Sequence, residues 1–280
     1  MHLKNFIERH PVLSYFTFVY LLTWGAILLI VQALSSSGDT DPTLRTAIVS
    51  LPLLIAPGLV GIPLTALIEG KAGIRAMFSR MTHWRAGIRW YVIALGLMPI
   101  LLLAILYGLA FLVSPAFAPT LSLLGLAGIA AGYLEEIGWT GFATPRLLSR
   151  WSPLAGGILI GSLWGLWHGL ADYSIRGDTL GTFWPITFGL FVLPLTAWRI
   201  LMLWVYDNTH SGPVAQLMHF SYTGSLGLFV PLTAISPGQD ALVYATLMTV
   251  LWLIVAFIAV ARQRASRIYP ANSSATPTIS

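Results

Sequence analysis

Stretches of about 20 apolar residues, each long enough to cross roughly 30 Å of hydrocarbon as a helix, recur along the whole chain. They run from about 12 to 34, 47 to 68, 88 to 113, 121 to 145, 154 to 171, 183 to 206, 213 to 230 and 241 to 261. Inside lipid no water satisfies a backbone N–H or C=O, so a spanning segment is either a helix or a strand of a closed barrel. Barrel strands alternate polar and apolar residues, and these unbroken runs do not. The expected fold is all-α: a polytopic membrane protein of about eight transmembrane helices in one bundle with a polar intramembrane cavity. That single domain covers residues 1–268, and the small, polar segment 269–280 is expected to be a disordered tail. A composition 56% hydrophobic and only 9% charged excludes an ordinary soluble domain. Lys4 and Arg9 precede the first stretch as they would in a signal peptide, but at about 23 residues it is long for one and reads as a retained span.

The connecting segments alternate in charge. Lys4 and Arg9, then Lys71, Arg75, Arg80, Arg85 and Arg89, then Arg146 and Arg150, then Arg262, Arg264 and Arg267 share one face; these are 12 of the 15 Lys and Arg residues. Arg45 and Arg176 lie on the other face and Arg199 lies within a span. The positive-inside rule then places both termini in the cytoplasm of a multi-pass cell-membrane protein, as an even number of spans requires. The basic segment from Gly70 to Arg89 reads first as a topology determinant that meets anionic lipid, and second as an interfacial helix with Ile74, Met77, Phe78 and Trp84 toward lipid. The expected partners are membrane lipids and a membrane-associated peptide or protein; with the cations confined to one membrane face and no recognition motif, nucleic acid is not among them. The absence of cysteine excludes thiolate catalysis and thiol metal ligands.

Five ionisable residues fall within the spans: Glu135, Glu136, His168, Arg199 and His219. A charge at mid-bilayer costs roughly 2.5 to 3.5 kcal/mol on insertion scales, so each needs a partner, water or a role. Adjacent residues on a helix diverge by about 100°, so Glu135 and Glu136 need not face one cavity, and one can act while the other braces a neighbouring helix. Trp164 with His168, and His219 with Thr223, share faces at a spacing of four. Two chemistries remain open. In one, a water held between a glutamate and a histidine attacks a peptide carbonyl, while the second histidine and Thr223 donate to the oxyanion. In the other, Glu135, His168 and His219 hold a divalent metal such as zinc, although no HExxH motif favours it. The plainer alternative is that these groups only pair across helices as polar glue. Arg199, near the end of its span, is expected to snorkel or pair rather than take part in chemistry. Trp164 and Trp167 read as packing residues with a place in the lining of a substrate groove.

Three segments resemble the CPBP, or Abi, family of intramembrane proteases, relatives of the CAAX prenyl endopeptidases. They are Glu135-EIGWTGFATPR-Leu147, Leu163-WGLW-His168 and Tyr206-DNTHSGPVAQLM-His219, within about residues 121 to 228. The resemblance implies Glu135 as the water-activating base together with His168, His219 as oxyanion or ligand partner, and Glu136 in support. Two positions depart from the pattern. Thr140 stands where an arginine usually follows the glutamate pair, and Thr223 where an asparagine often follows the last histidine. Arg146 and Arg199 are the candidates to replace the missing cation. The expected function is an intramembrane endopeptidase, in a prokaryote serving peptide maturation or bacteriocin self-immunity. The alternatives are a catalytically silent adaptor or immunity protein of the same fold and, last, a proton-coupled transporter.

Overall fold

The computed structural model describes residues 2–36, 41–231 and 235–268, and among them every regular element is helical. The tail expected over 269–280 lies outside the described residues. In chain order the α-helices are α1 (His2–Arg9), α2 (Pro11–Ser36), α3 (Pro42–Met81), α4 (Ile88–Leu112), α5 (Ala127–Gly138), α6 (Thr144–Leu148), α7 (Pro153–Trp167), α8 (Gly169–Leu180), α9 (Trp184–Thr209), α10 (Gly212–Phe229) and α11 (Pro237–Ile268). Between α5 and α6 the turn widens into a π-helix, Trp139–Ala143. The chain is an all-α, polytopic membrane protein.

Five stretches are long and apolar enough to cross a bilayer unaided: Pro11–Ser36, Pro42–Met81, Ile88–Leu112, Gly169–Thr209 and Pro237–Arg264. The remaining expected segments form α5, α7 and α10, of 12, 15 and 18 residues. At about 1.5 Å per residue, α5 is only about 18 Å long. These three carry the sequence motifs. The fifth expected segment also ends early, since α7 stops at Trp167 and His168 turns the chain into α8.

Glycine decides how the short helices pack. In lipid, helices associate by close contact and buried polar bonds rather than by hydrophobic gain, so residues without a side chain mark the seams. Gly157, Gly161 and Gly165 recur at intervals of four on α7. A Cβ at Gly157 would stand 2.6 Å from the Cα of Ile200, and one at Gly161 2.7 Å from the Cα of Thr196, both on α9. On α5, a Cβ at Gly128 would stand 2.6 Å from the nitrogen of Gly224, and one at Gly132 2.7 Å from that of Phe220, both on α10. Each seam brings two backbones together with no intervening side chain, which fixes the register of the residues beside it.

Helix starts are set locally. Ser152 accepts from the Ala155 N–H at the start of α7, and Ser211 accepts from the Val214 N–H at the start of α10, each with proline in the first turn. His210, left-handed at φ 50°, ends α9 and returns the chain into α10.

The basic segment after α3's membrane portion differs from the interfacial reading. Gly70, at φ 63° and ψ −157°, breaks the helix axis. Met77 then lies against Thr65, with Sδ 3.4 Å from the hydroxyl, although a spacing of twelve positions along a straight helix would separate them by about 18 Å. Met77 is thus buried, not turned to lipid, whereas Phe78 and Trp84 are exposed.

Candidate functional site

The four acid and imidazole residues expected to carry chemistry come from α5, the α7–α8 turn and α10, and the seams bring them together around Trp164. The two carboxylates fare differently. Glu136 is saturated: Arg199 Nη1 donates to Oε2 at 2.9 Å and Nη2 to Oε1 at 2.7 Å, His219 Nδ1 lies 2.8 Å from Oε1, and the Thr140 hydroxyl donates to Oε2. Glu135 is held by one oxygen only. Its Oε2 accepts from the indole N–H of Trp164 at 3.0 Å and of Trp139 at 3.2 Å, and His219 Nε2 stands 4.0 Å from the same oxygen. Its Oε1 accepts from no described side chain.

The histidines are oriented by their Nδ1 atoms. A ring nitrogen beside a carboxylate or carbonyl must carry the proton to form a hydrogen bond, so Nδ1–H of His219 donates to Glu136 and Nδ1–H of His168 donates to the Trp164 carbonyl at 2.8 Å. Both Nε2 atoms are left for other tasks. The 4.0 Å gap between His219 Nε2 and Glu135 is too long for a direct hydrogen bond and short enough for one water to touch both.

Trp164 is the hub. Besides holding Glu135, its ring stacks under the Arg199 guanidinium at 4.2 Å and packs edge-on against His219 at 4.8 Å and His168 at 6.0 Å. Gly161, one turn earlier, is what lets Arg199 approach, since a Cβ there would come within 3.1 Å of the Arg199 Cβ. Trp167 meets Trp139 and His168 at ring distances of 5.3 Å and 5.1 Å. Both tryptophans expected to line a substrate groove are almost fully buried, so they serve the site from within the core.

Of the two arginines expected to replace the missing cation, Arg199 is the one that pairs with Glu136. It is completely buried and does not snorkel. A lone arginine within a span, in a chain whose glutamate pair lacks its usual arginine, was the available signal. Arg146, the other candidate for that cation, is engaged elsewhere: it pairs with Glu69, donates to the Phe142 carbonyl at 2.8 Å and lies over the Phe142 ring. Thr223 sits one turn beyond His219 on α10 and forms no side-chain hydrogen bond to another described residue.

A divalent metal fits this donor set poorly. Among the described residues no three acidic or imidazole groups converge as ligands. Glu136 already spends both oxygens on Arg199, and a second cation beside that guanidinium would be repelled.

Residues 115–225 match the family model described as Type II CAAX prenyl endopeptidase Rce1-like. A protein named CAAX prenyl protease 2, from Methanococcus maripaludis, is 28% identical over 196 residues, which cover 62% of this chain and 69% of that protein. The matched segment holds every member of the cluster from Glu135 to Thr223, in the motif order of the intramembrane proteases. Over residues 115–225 the chain is thus similar to the Rce1-like CAAX prenyl endopeptidases, the kinship that its three motifs suggested.

Proposed function

We propose that the protein is an intramembrane endopeptidase in which Glu135 and His168 activate water and His219 stabilises the oxyanion. The observation that carries this reading is the unequal treatment of two neighbouring carboxylates. Glu136 spends both oxygens on Arg199, His219 and Thr140, while Glu135 keeps Oε1 open and lies 4.0 Å from His219. In the reaction, a water oriented by His168 Nε2 gives a proton to Glu135 Oε1 as its hydroxyl adds to the peptide carbonyl carbon. Charge builds on the carbonyl oxygen, where His219, its ring fixed by the contact of Nδ1 with Glu136, is the hydrogen-bond donor. Glu135 then returns the proton to the amide nitrogen as the C–N bond breaks. No step uses a metal.

Substrate class follows from kinship. The relative named CAAX prenyl protease 2 supports a membrane-associated peptide or protein bearing an isoprenylated C-terminal segment. Peptide maturation and bacteriocin self-immunity remain within the same chemistry, with both termini cytoplasmic. The ground for a silent adaptor was the arginine missing at position 140, and Arg199 supplying a guanidinium to Glu136 from α9 weakens it.

The test is cleavage by purified protein in nanodiscs of a farnesylated C-terminal peptide and of an unprenylated membrane-anchored peptide, with and without chelator. Wild type is expected to cut at least one of them, and Glu135→Ala and His168→Ala to abolish the cut. Variants as active as wild type would overturn the assignment, and loss of activity on chelation would overturn the metal-free mechanism.

A further inference from the structure

On the outer side of α2, away from the carboxylates, a groove of 990 Å³ opens between α2 and the α6–α7 region. Its two walls meet through long side chains. The Tyr20 hydroxyl donates to the Leu163 carbonyl at 2.6 Å, and the Trp24 indole N–H to the Trp167 carbonyl at 2.9 Å. Those bonds use up the polar atoms of both aromatic residues and leave the trench lined by apolar surface from Val12 to Leu28. Over that part of α2 the trench is about 24 Å long, more than the roughly 15 Å depth of one leaflet's hydrocarbon. At Gly25 a Cβ would meet nothing within 4 Å, so the trench is open at its far end.

The near end is of opposite character. Arg9, His10, Arg146 and Arg150 line it. Arg146 is neutralised by Glu69, but the exposed guanidiniums of Arg9 and Arg150 have no ion-pair partner among the described residues. Trp151, half-exposed beside them, is the residue type that sits at headgroup level. A trench that is apolar along its length and doubly cationic at its mouth matches a molecule with a hydrocarbon tail and an anionic, phosphate-bearing head.

We propose that this groove is a binding site for one anionic phospholipid, an acyl chain lying along α2 and the phosphate held by Arg9 and Arg150. Phe16 forms part of the inner wall and stacks on Trp139 at 5.5 Å, and Trp139 donates to Glu135, so two aromatic rings separate the bound chain from the carboxylate.

Native mass spectrometry of the full chain in neutral detergent, titrated with dioleoyl phosphatidylglycerol or dioleoyl phosphatidylcholine, tests this. Wild type is expected to retain one phosphatidylglycerol at about tenfold lower concentration than phosphatidylcholine. The double variant Arg9→Gln/Arg150→Gln, at two exposed positions, is expected to lose that preference, and Gly25→Leu to weaken retention of both lipids. Glycerol 3-phosphate, a head without a tail, is expected not to compete. Equal retention of the two lipids by wild type, an undiminished preference in the double glutamine variant, displacement by glycerol 3-phosphate, or tighter retention of an uncharged farnesyl methyl ester would each overturn the proposal. Should Gly25→Leu fail to fold, the double glutamine variant decides alone.

Discussion

Glu135 and Glu136 are chemically identical and adjacent, yet they occupy opposite environments. Glu136 meets Arg199 from α9 and His219 from α10, and with Thr140 of the adjoining π-helix they satisfy both of its oxygens. Glu135 meets the indole of Trp164 from α7 and that of Trp139 from the π-helix, which hold one oxygen and leave the other open. A rotation of about 100° around one helix thus separates a saturated carboxylate from one with an open oxygen. A buried pair of charges is weak evidence of net stability, but its rupture is costly because one charge is left alone. In the proposed mechanism Glu136 and Arg199 hold the framework while Glu135 takes up and returns the proton.

That contrast can be broken by substitution. Glu135→Gln, measured on a cleavable membrane-anchored peptide, is expected to lower kcat by roughly 100- to 10,000-fold, the usual worth of a general base. Its Tm should be unchanged or higher, since a buried charge disappears. Arg199→Met should do the reverse and cost about 3 to 5 kcal/mol of stability by stranding the Glu136 carboxylate. Adding Thr140→Arg to Arg199→Met should recover at least half of the lost Tm, because residue 140 already touches Glu136 from one turn away; no recovery would show that the cation must come from α9. Gly161→Leu should cost about 1 to 3 kcal/mol by wedging α7 from α9, with activity falling alongside stability. The smallest effect is expected of Trp164→Phe, which keeps the ring under Arg199 and removes one donor to Glu135. A rise of about 1 kcal/mol in the barrier, a several-fold fall in kcat with Tm nearly constant, would sharpen the division. If Glu135→Gln unfolded the protein and Glu136→Gln left it stable, the two roles would have to be exchanged.

Much of this was legible in the sequence, for physical reasons that also explain the gaps. Long apolar runs announce helices because lipid offers the backbone no other partner, and α2, α3, α4 and α11 fall close to the expected segments. Ionisable residues within such runs announce a site because burial there is expensive, and Glu135, Glu136 and His219 do converge. Convergence between distant segments carries no local signal. Glu135 and His219 meet because α5 is short and packs along α10 through Gly128 and Gly132, bringing the two side chains to 4.0 Å. The four-residue recurrence of Gly157, Gly161 and Gly165 was visible as a spacing and is the seam that delivers Arg199 to Trp164 and Glu136. The arginine missing at position 140 left Arg146 and Arg199 as candidates, since an unneutralised buried glutamate requires a cation from somewhere, and no local signal in the sequence chooses between them. Met77 misled because periodicity assumes a straight helix, and Gly70 bends this one.

The π-helix at Trp139–Ala143 divides the chain into two angular frames. A turn with one extra residue rotates everything after it by about 100° relative to a continuous α-helix. Upstream of that offset, Glu135 and Glu136 look into the cluster. Downstream, Arg146 looks out to Glu69, and the carbonyl of Gly141, within the widened turn, accepts from Arg80 at 3.2 Å. Deleting one residue from this turn would bring both ends into a single frame and swing Arg146 off its carboxylate. The insertion is therefore a phase shift that lets one short stretch of chain serve an anionic interior and a cationic rim at once.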